Sequence, residues 1–203
     1  MAGNTQDLIG MWNMSNVDRP AALQADDDST LIETARHDAA AFALLYRRYV
    51  TPIYRYLFSR TGNEADAQDL TAQVFLEVLE GLHRYHDRGT FAAWLFTIAR
   101  RRAIDHYHRR SPLPLDDTPD PRGDNDPLLH VIEHEALDRL KDLIAQLDDD
   151  QRDLLRLRFA AGLTFGQIGI VLGRSEAAVK MAVHRLLDQL RAKWRAQDEH
   201  VES

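Results

Sequence analysis

Apolar residues recur at helical spacing in two stretches of the chain, separated by a stretch that lacks this period. The first runs from Ser29 to Arg110 and is nearly free of Gly and Pro. The second begins near Leu128 and continues to about Arg195. Apolar positions three, four and seven residues apart predict amphipathic helices, and no segment shows sustained strand-type alternation between turn signals. The pattern therefore predicts an all-α fold.

The segments outside these two stretches are polar and acidic. Residues 1–27 show no periodicity and end in aspartates, which predicts a disordered acidic tail. Residues 111–127 contain five of the chain's seven prolines among several aspartates. Because proline prevents helix continuation and like charges repel, this segment is expected to be extended. We therefore expect two small helical domains, residues 28–110 and 128–203, joined by a flexible acidic Pro-rich linker at 111–127.

The helix predicted over residues 64–82 has two distinct faces. We expect a wide apolar arc of this helix to be buried, and it consists of Leu70, Val74, Phe75, Val78, Leu79 and Leu82. Polar residues recur on the opposite side at spacings of three and four, namely Asp66, Asp69, Gln73, Glu77 and Glu80. Composition alone favours a solvated face for this stripe.

Residues 164–191 carry the most specific local pattern in the chain. Thr164 and Gln167 predict a capping box for a short helix, and Gly173 predicts its left-handed end. Ser175 then caps a second, longer helix. The predicted core face of that helix consists of Val179, Val183, Leu186 and Leu190. Two helices joined by such a Gly-containing turn form a helix-turn-helix, with Gly169 at the point where the second helix approaches.

The outward face of the second helix is cationic. Lys180, His184 and Arg185 are expected to reach base edges or phosphates of DNA in a major groove. Arg174 and Ser175 lie at the helix start, where backbone N–H groups attract a phosphate. The alternative is an ordinary helical hairpin with a solvated basic face. Agreement between cap, turn and face favours DNA binding.

The net charge of −7 hides two basic segments. Residues 84–110 contain seven arginines against two aspartates, and residues 174–195 contain six basic side chains against two acidic ones. A chain with two basic patches separated by acidic segments can bind nucleic acid at two places. The loop at residues 84–89 also combines aromatic and cationic groups, which suits unpaired bases or phosphates.

Several function classes lack support in the sequence. The chain has no Cys, which excludes a thiolate zinc site and a cysteine nucleophile, and no apolar run approaches the ~20 residues of a membrane span. We therefore expect a cytoplasmic protein without membrane insertion. His130, Glu133 and His134 match H-x-x-E-H, but a zinc hydrolase also needs a third ligand and an enclosed cleft. No other catalytic motif is present, so we expect no enzyme activity, no cofactor and no metal.

With these features in place, the chain resembles the extracytoplasmic-function (ECF) sigma factors of bacterial RNA polymerase. Residues 42–79 (FALLYRRYVTPIYRYLFSRTGNEADAQDLTAQVFLEVL) and 91–110 (FAAWLFTIARRRAIDHYHRR) resemble the family's region 2. Residues 147–194 are similar to region 4. The resemblance implies a transcription initiation factor that binds core RNA polymerase and promoter DNA, with an anti-sigma factor as a further partner. The alternative is a stand-alone helix-turn-helix regulator that binds duplex DNA without polymerase.

The resemblance also assigns the surfaces. It implies that the polar stripe contacts polymerase through Asp66, Asp69, Gln73 and Glu77. It implies that the minus-ten element is bound by Tyr85, His86, Arg88, Arg100, Arg101 and Arg109. It implies that the minus-thirty-five element is bound by Arg174, Ser175, Lys180, His184 and Arg185. Positions that depart from the common family pattern include Gln68, Ala72, Gln73, Arg101, Met181 and Ala182, so part of the docking contact or the promoter preference is expected to differ.

Overall fold

The computed structural model describes residues 28–86, 90–110 and 138–201, without the side chains of Arg110 and residues 198–201. All regular structure in these ranges is helical, which confirms the all-α prediction. The predicted tail at 1–27, the predicted linker at 111–127 and the H-x-x-E-H motif at 130–134 lie outside the described residues.

The first domain contains four α-helices: α1 (Asp28–Ala35), α2 (Ala39–Thr61), α3 (Glu64–Gly81) and α4 (Phe91–Arg110). A short 3₁₀ helix, Leu82–Arg84, follows α3. Local chemistry sets the α2–α3 boundary, because Gly62 ends α2 at a positive φ of 61° and the Asn63 side chain accepts from the backbone N–H of Asp66 at the start of α3. Pro52 lies inside α2.

The buried face of α3 matches the predicted arc at five of its six positions. Leu70, Val74, Phe75, Val78 and Leu82 are buried. Leu79 is 52% exposed, so the prediction that it is buried is wrong. Five residues separate Leu79 from the fully buried Val74, which at about 100° per residue turns its side chain well away from the core.

The described part of the second domain starts with helical residues 138–145 (α5), followed by α6 (Asp149–Leu155). A π-helical turn, Arg156–Ala160, continues α6, and α7 (Phe165–Leu172) and α8 (Glu176–Val201) follow. The predicted capping box on α7 is confirmed, because both Thr164–Gln167 hydrogen bonds are present. Gly173 ends α7 at φ 66°, and the hydroxyl of Ser175 accepts from the backbone N–H of Ala178.

The turn of the helix-turn-helix depends on a close approach at Gly169. A Cβ added there would lie 2.6 Å from the backbone oxygen of Arg174. The backbone N–H of Arg174 also donates to the carbonyl of Gly169, at 2.8 Å. Both contacts confirm that a small residue is required where α7 meets the start of α8.

The two domains pack directly against each other. Helix α4 of the first domain contacts α7 of the second, and α2 contacts the π-helical turn. Leu57 and Phe96 of the first domain belong to the same buried apolar cluster as Leu154 and Leu157 of the second. The sequence predicts the separate helical units, but the shared core between them is not visible in its periodicity.

Candidate nucleic-acid and polymerase interfaces

The outward face of α8 is exposed along its first three turns. Lys180, Met181 and Arg185 are exposed on this face, with Met181 at 62%. The opposite face is buried as predicted, at Val179, Val183, Leu186 and Leu190. The helix therefore presents two cations and one unbranched apolar side chain to solvent, a combination that can contact both phosphates and base edges.

Two predicted DNA contacts at this face have neighbours within the protein. The His184 ring is half-buried, with its centroid 6.1 Å from that of Phe165 in α7. The ammonium of Lys180 lies 5.9 Å from the centre of the same Phe165 ring. His184 therefore points partly toward the α7–α8 packing, whereas Lys180 remains exposed above it.

The start of α8 combines Ser175 with an exposed arginine. The Arg174 guanidinium pairs with the Asp150 carboxylate at 3.0 Å, and both side chains are largely exposed. Such an exposed pair contributes little to stability, so the guanidinium is available to a competing phosphate. The predicted phosphate contacts at this helix start are accessible.

Tyr85 is buried rather than presented to solvent. Its ring stacks on Trp94 at 4.7 Å between centroids and meets Phe91 edge-on at 5.5 Å. Its carbonyl accepts from the Arg36 guanidinium at 2.5 Å. The prediction that Tyr85 stacks on an unpaired base therefore does not fit this arrangement. The ring instead packs in the core against Phe91 and Trp94.

The other predicted minus-ten residues divide into exposed and paired groups. His86 and Arg109 are exposed, and Arg88 lies outside the described residues. Arg101 pairs with Glu77 of α3. Arg100 donates from Nε to an Asp153 oxygen of the second domain at 2.7 Å. Part of the arginine-rich helix is therefore engaged by carboxylates of the protein itself.

Glu77 joins α3 to α4 through two arginines. Its carboxylate accepts from Arg101 and, at 2.8 Å, from the Nε of Arg102. Burial acts to raise the pKa of Glu77, but the hydrogen bonds from these two guanidinium groups outweigh burial and leave the pKa lowered. The carboxylate is therefore ionised at neutral pH and directed at α4.

The predicted polar stripe of α3 separates into two groups of residues. Asp69 is exposed and accepts from the half-buried Gln73 at 2.7 Å. Asp66 lies 3.6 Å from the His106 ring of α4, and Glu77 also faces that helix. Asp69 and Gln73 instead contact each other, and Glu80, the last residue of the stripe, is exposed. Sequence spacing places all five stripe residues on one face, because it does not show where the next helix lies.

Two exposed leucines beside this stripe were missed by the sequence reasoning. Leu76 is 61% exposed and Leu79 is 52% exposed. At 3.6 residues per turn, they lie about two and about three turns from Asp69. Exposed leucines at i and i+3 on one helix form an apolar strip that suits a protein partner. The sequence holds a sign of this for Leu76, because it is an apolar residue of the helix that lies outside the predicted buried arc.

Within residues 28–86, 90–110 and 138–201, no group of three or more His, Cys, Asp or Glu side chains is arranged to hold a metal ion. In the same ranges, no helix is both long enough and apolar enough to cross a membrane.

Comparison with known proteins assigns both domains to one family. The Sigma-70 region 2 model matches residues 45–112, and the Sigma-70 region 4 model matches residues 143–192. The ECF RNA polymerase sigma factor BldN of Streptomyces coelicolor is 34% identical over 183 residues, covering 85% of this chain and 68% of the relative. ShbA of Streptomyces griseus subsp. griseus, another ECF RNA polymerase sigma factor, is 34% identical over 185 residues, covering 82% and 97%.

A solved structure shows the same fold. The structure of CnrH in complex with the cytosolic domain of CnrY aligns with a TM-score of 0.63 at 23% identity, covering 85% of this chain and 99% of that one. The chain therefore belongs to the ECF RNA polymerase sigma factors, non-enzymatic transcription initiation factors that bind core RNA polymerase and direct it to promoters.

Proposed function

We propose that the second domain recognises the minus-thirty-five element through α8. The observation that carries this proposal is the capped helix-turn-helix whose second helix exposes Lys180, Met181 and Arg185. In a major groove, an arginine or lysine can donate to guanine, and an apolar side chain can contact the thymine methyl group. Arg174 and Ser175 at the helix start supply phosphate contacts that fix the helix in the groove.

We propose that the first domain binds the minus-ten element through α4 and the loop before it. His86 and Arg109 are exposed, and Arg101 is more than half exposed although it contacts Glu77. A cationic surface follows the backbone of a separated strand, and exposed rings or guanidinium planes can stack on its bases. Arg88 is part of the same proposal from its sequence position. Tyr85 supports the loop from the core in this proposal.

We propose that α3 docks on core polymerase through Asp69, Gln73, Leu76 and Leu79. The first two belong to the predicted stripe and contact each other rather than α4, and the two leucines add exposed apolar surface. Asp66 and Glu77 contribute indirectly, because they tie α3 to α4. An interface of this kind combines an apolar centre with a polar rim.

We further infer that an anti-sigma factor controls the chain in the cytoplasm, where core polymerase is found. CnrH, which shares the fold, was solved with the cytosolic domain of a second protein, CnrY. The exposed Leu76–Leu79 strip and the exposed Met181 are candidate contacts for such a partner. Competition between that partner and core polymerase would follow if they share the α3 surface.

The test of this function uses the holoenzyme on promoters that differ at single minus-thirty-five positions. Removing a base contact with Arg185→Ala should reduce discrimination at one position by ~1–3 kcal/mol. Removing a phosphate contact with Arg174→Ala should weaken all promoters alike and lower the salt slope by about 0.9. Arg195→Ala, an exposed arginine further along α8, is the matched control and should leave both quantities unchanged.

Binding of the full chain without polymerase separates this proposal from a stand-alone regulator. We expect weak duplex binding by the free chain and promoter-specific transcripts only when core polymerase is added. Tight, sequence-specific duplex binding without polymerase would favour the stand-alone regulator. Unchanged base preference in Arg185→Ala and Lys180→Ala would contradict the assignment of α8 to the minus-thirty-five element.

A further inference from the structure

Asp153 is a buried carboxylate whose donors all come from the other domain. It lies on α6 in the second domain and is 2% exposed. One oxygen accepts from the Arg60 guanidinium at 2.6 Å and from the Tyr56 hydroxyl at 3.0 Å. The other accepts from Arg100 Nε at 2.7 Å. A buried carboxylate is costly without such partners, so the contact depends on this arrangement of donors.

The three donors, Tyr56, Arg60 and Arg100, all belong to the first domain and converge on the Asp153 carboxylate. Tyr56 is fully buried and its ring meets Phe96 edge-on at 5.7 Å, which fixes the hydroxyl. Burial and the nearby charge of Asp153 raise the pKa of Tyr56, so the hydroxyl remains a donor. Burial acts to lower the pKa of Arg60, but Tyr56 and Asp153 outweigh it and leave that pKa raised.

The surroundings of this site carry more positive charge than Asp153 neutralises. Arg60 and Arg100 both contact its carboxylate. Arg156 of the second domain also lies close, donating from Nε to the Ser59 carbonyl at 3.0 Å. Burial and the charge of Arg60 lower the pKa of Arg156. Arginines from both domains therefore lie around a single buried carboxylate, which suits the site to an anion.

We propose that Tyr56, Arg60 and Arg100 bind a backbone phosphate of promoter DNA, and that Asp153 fills this site while the domains are packed together. A carboxylate and a phosphodiester both offer a singly charged pair of oxygens to guanidinium and hydroxyl donors. Arg100 lies on α4, the helix proposed to bind the minus-ten element, so the inference rests on the proposed function. Domain separation removes Asp153 and opens the same three donors to the DNA.

The packed chain is consequently limited in its binding to single-stranded DNA, because Asp153 competes with phosphate for the site. Asp153→Asn keeps the side-chain shape and removes the competing charge. Anisotropy of a labelled twenty-nucleotide oligo-dT measures binding to the full chain without core polymerase and without any promoter sequence. We expect about tenfold tighter binding by Asp153→Asn, and a salt slope steeper by about 0.7 for the one added phosphate contact.

Two further variants make this result specific. Asp149→Asn removes an equal charge from an 89% exposed carboxylate on the same helix and should leave the affinity unchanged. Arg60→Gln added to Asp153→Asn should abolish the gain and restore the original slope. Equal gains in Asp149→Asn and Asp153→Asn, or a gain that survives Arg60→Gln, would overturn the proposal.

A second measurement uses the otherwise unchanged chain and does not depend on the folding of Asp153→Asn. The chain has no Cys, so Thr51→Cys on α2 and Gln189→Cys on α8, both at exposed positions, accept a fluorescent donor and acceptor. Saturating oligo-dT should lower energy transfer between the domains, and Arg60→Gln should weaken this response. Saturation without loss of transfer would overturn the proposal. Promoter-dependent transcription by the holoenzyme is scored separately, so failure of the proposed function is distinguished from failure of this site.

Discussion

At the scale of the residue, Gly169 has the least room of the glycines in the helix-turn-helix. An added Cβ would lie 2.6 Å from the Arg174 backbone oxygen, which cannot move without displacing the start of α8. At Gly166, one turn earlier, an added Cβ would lie 3.3 Å from the end of the flexible Glu176 side chain. The two positions therefore offer a matched pair on one helix.

We predict that Gly169→Ala destabilises the protein by ~1–3 kcal/mol, because overpacking against backbone outweighs the helix propensity gained. Gly166→Ala should be neutral or slightly stabilising, since only a flexible side chain must move. Urea unfolding followed by circular dichroism measures both free energies. Equal stability of the two variants would show that the α7–α8 approach tolerates a methyl group.

A second residue-scale prediction concerns the Glu77 bridge between α3 and α4. Glu77→Gln keeps the shape and removes the charge that pairs with Arg101 and Arg102. The loss of unfolding free energy at pH 7 should reach at most about 1 kcal/mol, because the pair is partly exposed. The pKa of Glu77 is lowered in the folded chain. Its contribution is therefore complete above the ordinary pKa of about 4.3 and is lost as pH falls through the lower folded value.

Unfolding free energies of both proteins at pH 7, 4 and 3 check this sign. The difference between Glu77→Gln and the original chain should be largest at pH 7 and shrink toward pH 3. Glu80→Gln, an exposed position on the same helix, controls for the change in overall charge. A difference that grows on acidification would contradict the ionised bridge.

These residues also show what the sequence can predict at this scale. The requirement for Gly at 169 and the cap at Thr164 follow from local backbone chemistry, so both were predictable and both are confirmed. The roles of Asp66 and Glu77 depend on α4, which is distant in sequence, so spacing alone grouped them with Asp69. The resemblance implies that Tyr85 binds the minus-ten element, and the sequence does not show that its ring packs against Phe91 and Trp94.

At the scale of the element, α3 carries two exposed leucines, Leu76 and Leu79, that are not part of its buried face. The neighbouring positions Phe75 and Val78 are buried. The helix boundaries and the buried face were largely predictable from period and caps. The π-helical turn at Arg156–Ala160 was not predictable, because a single π-helical turn of five residues has no distinct sequence pattern.

We predict that Leu76→Ser lowers the affinity for core polymerase about tenfold without loss of folded stability, since the side chain is exposed in the free chain. Leu44→Ser on α2 removes an apolar side chain of similar exposure, 52%, and should leave core affinity unchanged. Fluorescence titration of labelled chain with core polymerase measures both. Equal affinities for the two variants would remove Leu76 from the docking surface.

At the scale of the whole molecule, the two domains form one packed body in which Asp153 of one domain meets donors of the other. The sequence predicts two helical units because each has its own amphipathic pattern. It does not predict their contact, because Asp153 appears only as one acid in the run 148–153, and its partners lie more than 50 residues away. Long-range ion pairs of this kind have no local signature.

The last prediction follows from the distance that the two domains must cover. If they bind promoter elements separated by about two helical turns of ~34–36 Å each, part of that distance lies within the domains and the rest must be spanned by chain. Residues 111–127 can reach at most ~55–60 Å when extended.

Scrambling this segment at constant length and composition should preserve run-off transcription, since reach depends on length. Deleting residues 113–124 should abolish transcription while core polymerase still binds the first domain through α3. Transcription that survives the deletion would show that the segment does not supply reach. Loss of activity on scrambling alone would show that its sequence makes specific contacts.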